Sequence, residues 1–297
     1  MKLEGTFTAL ITPFAKNGEV DYGGLEENIE NQLKSGISGL VVLGTTAETP
    51  TLSTEEKDNI VKIAVRKAKG KVPIVVGTGS NSTESTIKNT IKAGENGADA
   101  ALVVAPYYNK PTQKGLYDHF KTIADNVNIP IILYNVQSRT GVNIEPETIL
   151  KLATHPKIIG IKDASGDFKK SATVITTVKR ESIDFTVVSG DDVSALSLMG
   201  IGAKGIVSVV SNLAPKTVAK LTDLALEGKF EEAQALYSEI FPLLTVSFVE
   251  TNPIPIKEAM NIVGLPAGGV RLPLSSLKVE NREKLHQVIE SLRGYLN

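Results

Sequence analysis

Cysteine and tryptophan are absent from this 297-residue chain, and histidine and methionine occur only three times each. Without cysteine there is no disulfide, no thiolate nucleophile and no Cys/His zinc site, a composition that suits a reducing compartment. His119, His155 and His286 stand far apart, with no H-x-x-x-H spacing, and read as ordinary helix or loop residues. No metal is expected. An excess of one charge sign is also missing. The 32 basic and 33 acidic residues leave a formal net charge of −1, which gives no general attraction to nucleic acid or an anionic membrane. No apolar run approaches the roughly 20 residues of a membrane span. The opening MKLEGTFTALITPF has neither the h-region nor the cleavage site of a secretory leader. The segment GTGSNS at Gly77–Ser82 lacks the last glycine of a dinucleotide fingerprint, and no P-loop or G-x-S-x-G occurs. A cytoplasmic protein without a cofactor is expected, and its chemistry falls to Lys, Tyr, Thr, Arg and carboxylates.

What is present is a repeated alternation. Short β-branched runs recur at Thr6–Ile11, Gly39–Leu43, Ile74–Gly77, Ala101–Ala105, Ile131–Tyr134, Ile158–Lys162, Phe185–Ser189 and Gly205–Ser208. Runs that are apolar throughout suit strands buried on both faces of a parallel sheet. Amphipathic segments lie between them. Ser53-Thr-Glu-Glu56 reads as a capping box, Pro146 marks a helix start, and Gly36 and Gly97 follow helix ends. Eight strand–helix repeats point to an α/β (β/α)8 TIM barrel, with a doubly wound sheet as the weaker alternative. The strand signal then stops, and helical patterns continue at Phe230–Thr245, Pro255–Val263 and Asn281–Leu296. The expected division is a catalytic barrel over 1–224 and a C-terminal helical region over 225–297, packed on the barrel or on another subunit.

In such a barrel chemistry belongs at the C-terminal ends of the strands. That rule selects Thr45 and Thr46, Tyr107 and Tyr108, Tyr134, Lys162, and Gly190-Asp191-Asp192. Lys162 ends the run Ile158-Ile-Gly-Ile. It is either a strand-end lysine turned to solvent or a desolvated amine, and desolvation favours the neutral form that can attack a ketone. The resulting iminium is an electron sink that lets the adjacent carbon become an enamine nucleophile. Tyr134 is either a barrel-lining aromatic or a proton shuttle, since a phenol both donates and accepts. Thr45-Thr46 is either a simple turn or a seat for a carboxylate, held by hydroxyls and backbone N–H groups. Arg139 is a surface charge or a bidentate carboxylate ligand. Their shared placement on one predicted rim favours the functional reading of each.

Six segments also carry a resemblance: Gly44-Thr-Thr-Ala-Glu48, Pro106-Tyr-Tyr-Asn-Lys-Pro111, Tyr134-Asn-Val-Gln-Ser-Arg-Thr-Gly141, Gly160-Ile-Lys-Asp163, Ser189-Gly-Asp-Asp192 and Asn252-Pro-Ile-Pro255. Through them the chain resembles, nearly end to end, the dihydrodipicolinate synthase/N-acetylneuraminate lyase family. The resemblance implies a class I aldolase-type lyase that condenses pyruvate with L-aspartate-4-semialdehyde to 4-hydroxy-tetrahydrodipicolinate in lysine and diaminopimelate biosynthesis. Lys162 then matches the Schiff-base lysine and Tyr134 the general acid/base. Thr45 matches a relay member bonded to that tyrosine, and Tyr108 a third member reaching in from a neighbouring subunit. Thr46, with Thr45, matches the pyruvate-carboxylate site. Val207 matches an apolar pyruvate contact, Gly190 offers backbone at the mouth, and Arg139 matches the ligand of the semialdehyde carboxylate.

A homotetramer built as a dimer of dimers is implied as well. Gln137 stands where a proline is frequent and Ala47 where a glycine is frequent, which bears on loop rigidity rather than on the reaction. Sister pyruvate-dependent aldolases, acting on N-acetylneuraminate or keto-deoxy sugars, are the alternative. They usually carry Gly-Ser-Thr in place of Gly44-Thr45-Thr46 and lack an arginine matching Arg139. A non-catalytic keto-acid-binding barrel would have lost the lysine or the tyrosine. The positions matching a lysine-inhibition cleft are Thr49, Pro50, Thr54, Lys57, Asn81, Ser85 and Tyr107. Lys57 and Ser85 replace a histidine and a glutamate there, so weak or absent feedback by lysine is expected.

Overall fold

A computed structural model describes residues 1–296. The β-branched runs form β1 (Gly5–Ala9), β2 (Gly39–Val42), β3 (Ile74–Gly77), β4 (Ala100–Val104), β5 (Ile131–Asn135), β6 (Ile158–Asp163), β7 (Thr186–Ser189) and β8 (Gly205–Ser208). They follow one another in sequence order around a closed barrel, and a doubly wound sheet is excluded. Strand ends differ from the apolar runs by two residues at most. Ile11 leaves β1, for example, because its N–H bonds to the Asn212 side chain at 3.1 Å.

The helices are α1 (Tyr22–Lys34), α2 (Thr54–Ala68), α3 (Thr83–Glu95), α4 (Gln113–Asn126), α5 (Gln137–Thr140) and α6 (Pro146–Ala153). They continue with α7 (Phe168–Arg180), α8 (Ala195–Gly200), α9 (Pro215–Leu226), α10 (Phe230–Val246), α11 (Ile254–Ile262) and α12 (Val279–Ser291). The capping box of α2 forms at both of its hydrogen bonds, and Pro146 opens α6. Gly36 and Gly97 take the positive φ that a helix terminator needs, 77° and 96°. The last helix stops at Ser291 rather than at Leu296, and a 3-10 turn, Arg293–Tyr295, follows. Gly294 sits inside that turn, where its large backbone entropy disfavours helix continuation. No helix among the described residues is long and apolar enough to cross a membrane.

The chain divides into two compact units. One comprises Met1–Glu4 and Val75–Val207; the other comprises Gly5–Ile74 and the residues from Ser208 onward. In the first unit, strand register sets which residues of β5 and β6 stand opposite one another. β5 and β6 begin with Ile131 opposite Ile158, but Ile132 then faces Gly160, so one residue of β6 bulges out. A bulge shifts every later pairing by one position. Downstream of it Tyr134 therefore stands opposite Lys162, and without the slip it would face Ile161. Lys162 in turn pairs with Val188 of β7. Gly160 lets the strands close here, since a Cβ would lie 2.4 Å from the Thr186 carbonyl oxygen.

In the second unit Arg271, from the segment after α11, ties down the start of α2. Its guanidinium reaches the two Glu56 carboxylate oxygens at 2.5 and 2.9 Å and the Thr51 and Gly18 carbonyls. That bidentate bond is the main reason the Glu56 carboxyl is held down at about 2, with the Ser53 N–H adding to it. Because the folded value lies below the unfolded 4.5, the stabilisation is complete above about pH 4.5 and is lost as pH falls toward 2. Glu56→Gln should lower the melting temperature at neutral pH by a few degrees. This corresponds to about 1–2 kcal/mol for a partly screened pair. The gap between the two proteins should narrow by more than half at about pH 3. A gap as wide at that pH as at neutrality would contradict this account of the pair.

Candidate active site

The first unit holds the lysine and the tyrosine. Their opposed positions at the C-terminal ends of β5 and β6 put both side chains on one face. Each is 6% exposed, and the Lys162 ammonium lies 4.3 Å from the centroid of the Tyr134 ring. Of the two readings of Lys162, solvent-facing or desolvated, the structure selects the second. Gly190 makes the room: a Cβ there would fall 2.9 Å from Cε and 3.0 Å from Cγ of Lys162. Its N–H donates to the Asp163 carbonyl at 2.7 Å, which fixes the turn after β7 against the end of β6. Val207 is buried on β8.

Asn135 and Asp163, one residue beyond Tyr134 and Lys162, point the other way, as strand alternation requires. Asp163 accepts from Ser171 Oγ at 2.5 Å, Ser165 N–H at 3.0 Å and Asn135 Nδ2 at 3.4 Å. Asn135 also donates to Asn143 Oδ1 at 2.8 Å and accepts from the Ile144 N–H at 3.1 Å. These bonds fasten the segment that carries Arg139. That residue stands on the one-turn helix α5 rather than in an open loop, because Val136 O accepts from the N–H groups of Arg139 and Thr140. Gly141 ends the turn in the left-handed region. The Arg139 side chain is exposed.

Tyr107 and Tyr108 follow β4. Tyr108 is 88% exposed and holds a left-handed φ of 73°, a conformation unfavourable for a residue with a Cβ. Asn109 Nδ2 anchors the loop on the Asn81 carbonyl at 2.8 Å. Ser85 is exposed on α3, and the neighbouring Glu84 is committed to Lys88 at 2.6 Å. His119 is buried in α4, with Nδ1 2.8 Å from Thr83 Oγ1, and burial pushes its imidazole down to about 4.

The second unit holds the threonine turn. After β2 the chain makes a 3-10 turn, Thr45–Ala47, which Glu48 ends in the left-handed region. Thr49 Oγ1 donates to the Gly44 carbonyl at 2.9 Å and Thr12 Oγ1 to the Ala47 carbonyl at 2.8 Å. Thr46 is buried, and its hydroxyl accepts from Asn252 Nδ2 at 2.9 Å. Thr45 is half-buried. Thr49, Pro50, Thr54 and Lys57 of the lysine-cleft set lie on the same unit, from this turn into α2, while Asn81, Ser85 and Tyr107 belong to the first.

Asn135, Asp163 and Asn252 were not singled out by sequence, although each lies inside one of the six motifs. Alternation could have flagged the first two. A polar residue directly after a reactive strand-end residue faces away from it and needs partners of its own.

A model of the dihydrodipicolinate synthetase family matches residues 2–292. The 4-hydroxy-tetrahydrodipicolinate synthase of Protochlamydia amoebophila is 45% identical over 292 residues, 98% of this chain and 97% of that protein. A chloride-inhibited dihydrodipicolinate synthase from Acinetobacter baumannii, solved in complex with pyruvate, is 42% identical. It superposes with a TM-score of 0.95 over 99% of this chain and all of its own. A monomeric dihydrodipicolinate synthase variant is 41% identical, with a TM-score of 0.95 over 99% of this chain and 97% of that one. These matches lend nothing to the sister lyases or to a non-catalytic barrel. The chain belongs to the dihydrodipicolinate synthetase family.

Proposed function

We propose that this protein is a 4-hydroxy-tetrahydrodipicolinate synthase working through an imine on Lys162. It condenses pyruvate with L-aspartate-4-semialdehyde, a step of lysine and diaminopimelate biosynthesis. The observation that carries the chemical assignment is the burial of Lys162 directly opposite Tyr134, in space that Gly190 leaves clear. Lys162 Nζ attacks C2 of pyruvate, and loss of water gives the iminium. Loss of a C3 proton gives the enamine, whose carbon adds to the semialdehyde carbonyl. The aldehyde oxygen takes up a proton, and the substrate's own amine then attacks C2, closing the ring and releasing Lys162. Tyr134 is the proton carrier in these steps. Thr45 and Tyr108 are assigned to its relay, Thr45 and Thr46 to the pyruvate carboxylate, and Val207 and the Gly190 backbone to pyruvate contacts.

The assembly is proposed to be a homotetramer, a dimer of dimers. A tyrosine held in an unfavourable conformation and 88% exposed is better explained by a partner subunit than by solvent. Catalysis in the cytoplasm is the matching location for a biosynthetic enzyme without cysteine.

Borohydride added with pyruvate should fix the reduced adduct's mass on the peptide bearing Lys162, and Lys162→Ala should lose nearly all turnover. A label on a different lysine would sink the assignment. Arg139 is proposed to hold the semialdehyde carboxylate. Arg139→Ala should raise the KM for the semialdehyde by roughly 1.5–3 kcal/mol, the range of a hydrogen bond to a charged group. The KM for pyruvate should stay nearly unchanged, and equal shifts in both would remove Arg139 from this role.

Lysine should inhibit weakly or not at all. Bound ammonium groups need acceptors once they leave water. Ser85 supplies no carboxylate, Glu84 is paired with Lys88, and Lys57 adds a like charge. Lysine titrated against the initial rate decides the matter. Half-inhibition below about a millimolar, an affinity near 4 kcal/mol, would show that this cleft is functional.

A further inference from the structure

The mechanism leaves two charged residues at or beside the sequence motifs unused. One is Glu48, at the end of Gly44-Thr-Thr-Ala-Glu48, and the other is Lys257, just past Asn252-Pro-Ile-Pro255. The two side chains meet. Lys257 Nζ lies 2.9 Å from Glu48 Oε1, and the side chains are 2% and 1% exposed. Lys257 also donates to the Thr12 carbonyl at 3.0 Å and sits 4.1 Å from the centroid of the Phe14 ring. The other Glu48 oxygen accepts the Arg271 N–H at 2.8 Å. Burial pulls the Lys257 ammonium down to about 8, against the pull of the Glu48 carboxylate in the opposite direction.

Such a pair is not explained by stability. Desolvating two charges costs about as much as their attraction returns, and apolar residues of equal volume commonly serve as well or better. What the pair does have is position. Glu48 is the left-handed residue, φ 55° and ψ 34°, that ends the Thr45–Ala47 turn, and its N–H donates to the Thr45 carbonyl at 3.1 Å. Glycine or asparagine is the usual occupant of that conformation, so a glutamate there points to a use for its carboxylate. Each residue after Thr45 is gripped: Thr46 by Asn252, Ala47 by Thr12, and Glu48 by Lys257 and the Arg271 backbone. Thr12 joins two of these grips, since its hydroxyl holds Ala47 while its carbonyl receives Lys257.

We propose that Lys257 and Glu48 are a positioning pair that sets the Thr45–Thr46 turn, so that capture of pyruvate depends on an ion pair that touches no substrate. This rests on the reading of that turn as the seat of the pyruvate carboxylate. Lys257 works through Glu48, and Glu48 through the backbone of the turn.

The test compares Glu48→Gln, Lys257→Met, the double variant of both, and Thr46→Val, each by melting temperature and by kinetics in both substrates. The two single variants leave a lone buried charge or a lone acceptor and should melt lower. They should raise the pyruvate KM about tenfold or more while the semialdehyde KM moves less than about twofold. The double variant should regain much of the lost melting temperature and still show the raised pyruvate KM. That split separates positioning from folding. A double variant that binds pyruvate like the unaltered enzyme would overturn the proposal, and it decides the matter if the single variants do not fold. Thr46→Val is the control on the underlying reading. A normal pyruvate KM in Thr46→Val retires the carboxylate seat and the proposal with it. A raised KM there, beside normal values in the pair variants, overturns the proposal alone.

Discussion

Lys162 is buried with no counter-ion beside it, the constraint that the proposed imine chemistry places on an amine, and its surroundings can be read from that constraint. Among the described residues Lys162 has the Tyr134 ring 4.3 Å away and no carboxylate within ion-pair distance. The obvious partner is Asp163, its neighbour in the chain. Strand alternation turns that carboxylate to the opposite face, and Ser171, Ser165 and Asn135 occupy it there. The bulge between Ile158 and Gly160 is the second requirement, because it brings Tyr134 rather than Asn135 opposite the amine. The third is Gly190, whose missing side chain is the space the lysine uses.

Lys257 shows what the same residue type does when the constraint is reversed. It is as deeply buried, but it has a carboxylate at 2.9 Å, a carbonyl at 3.0 Å and an aromatic face. Every donor it presents is already engaged, which makes it a poor nucleophile and a good fastener. Burial alone therefore does not mark a reactive lysine. The informative feature is which groups surround it, and a carboxylate there argues for structure while a phenol ring and an open glycine argue for chemistry.

Much of this was legible in the residues. The eight β-branched runs became the eight strands, and the capping box, Pro146, Gly36 and Gly97 marked helix ends where the structure has them. The placement of Lys162 and Tyr134 near the C-terminal ends of adjacent strands was legible, because each closes an apolar run. Their direct opposition was not, since the apolar pattern on either side of Ile159 gives no sign of a one-residue slip. The short helix that carries Arg139 was not legible, since four residues closed by a glycine are too few for periodicity to reveal. The Glu48–Lys257 pair was invisible for a different reason: its members are 209 residues apart, and a lysine on an amphipathic helix normally reads as solvated.

That separation in sequence changes what the C-terminal helices are for. On pattern alone they are a tail that begins when the strands stop. In the second unit, however, Asn252 and Lys257 reach the threonine turn from just before α11 and from within it, and Arg271, from the segment after α11, reaches Glu48 and Glu56. A 3-10 turn of three residues makes too few hydrogen bonds of its own to hold two hydroxyls in place. Its geometry has to be imposed from outside, by groups whose positions are set by a longer element. A helix of nine residues, Ile254–Ile262, is such an element. The strand end supplies the turn, and the residues before and within α11 supply the external bonds that a short turn after a strand lacks.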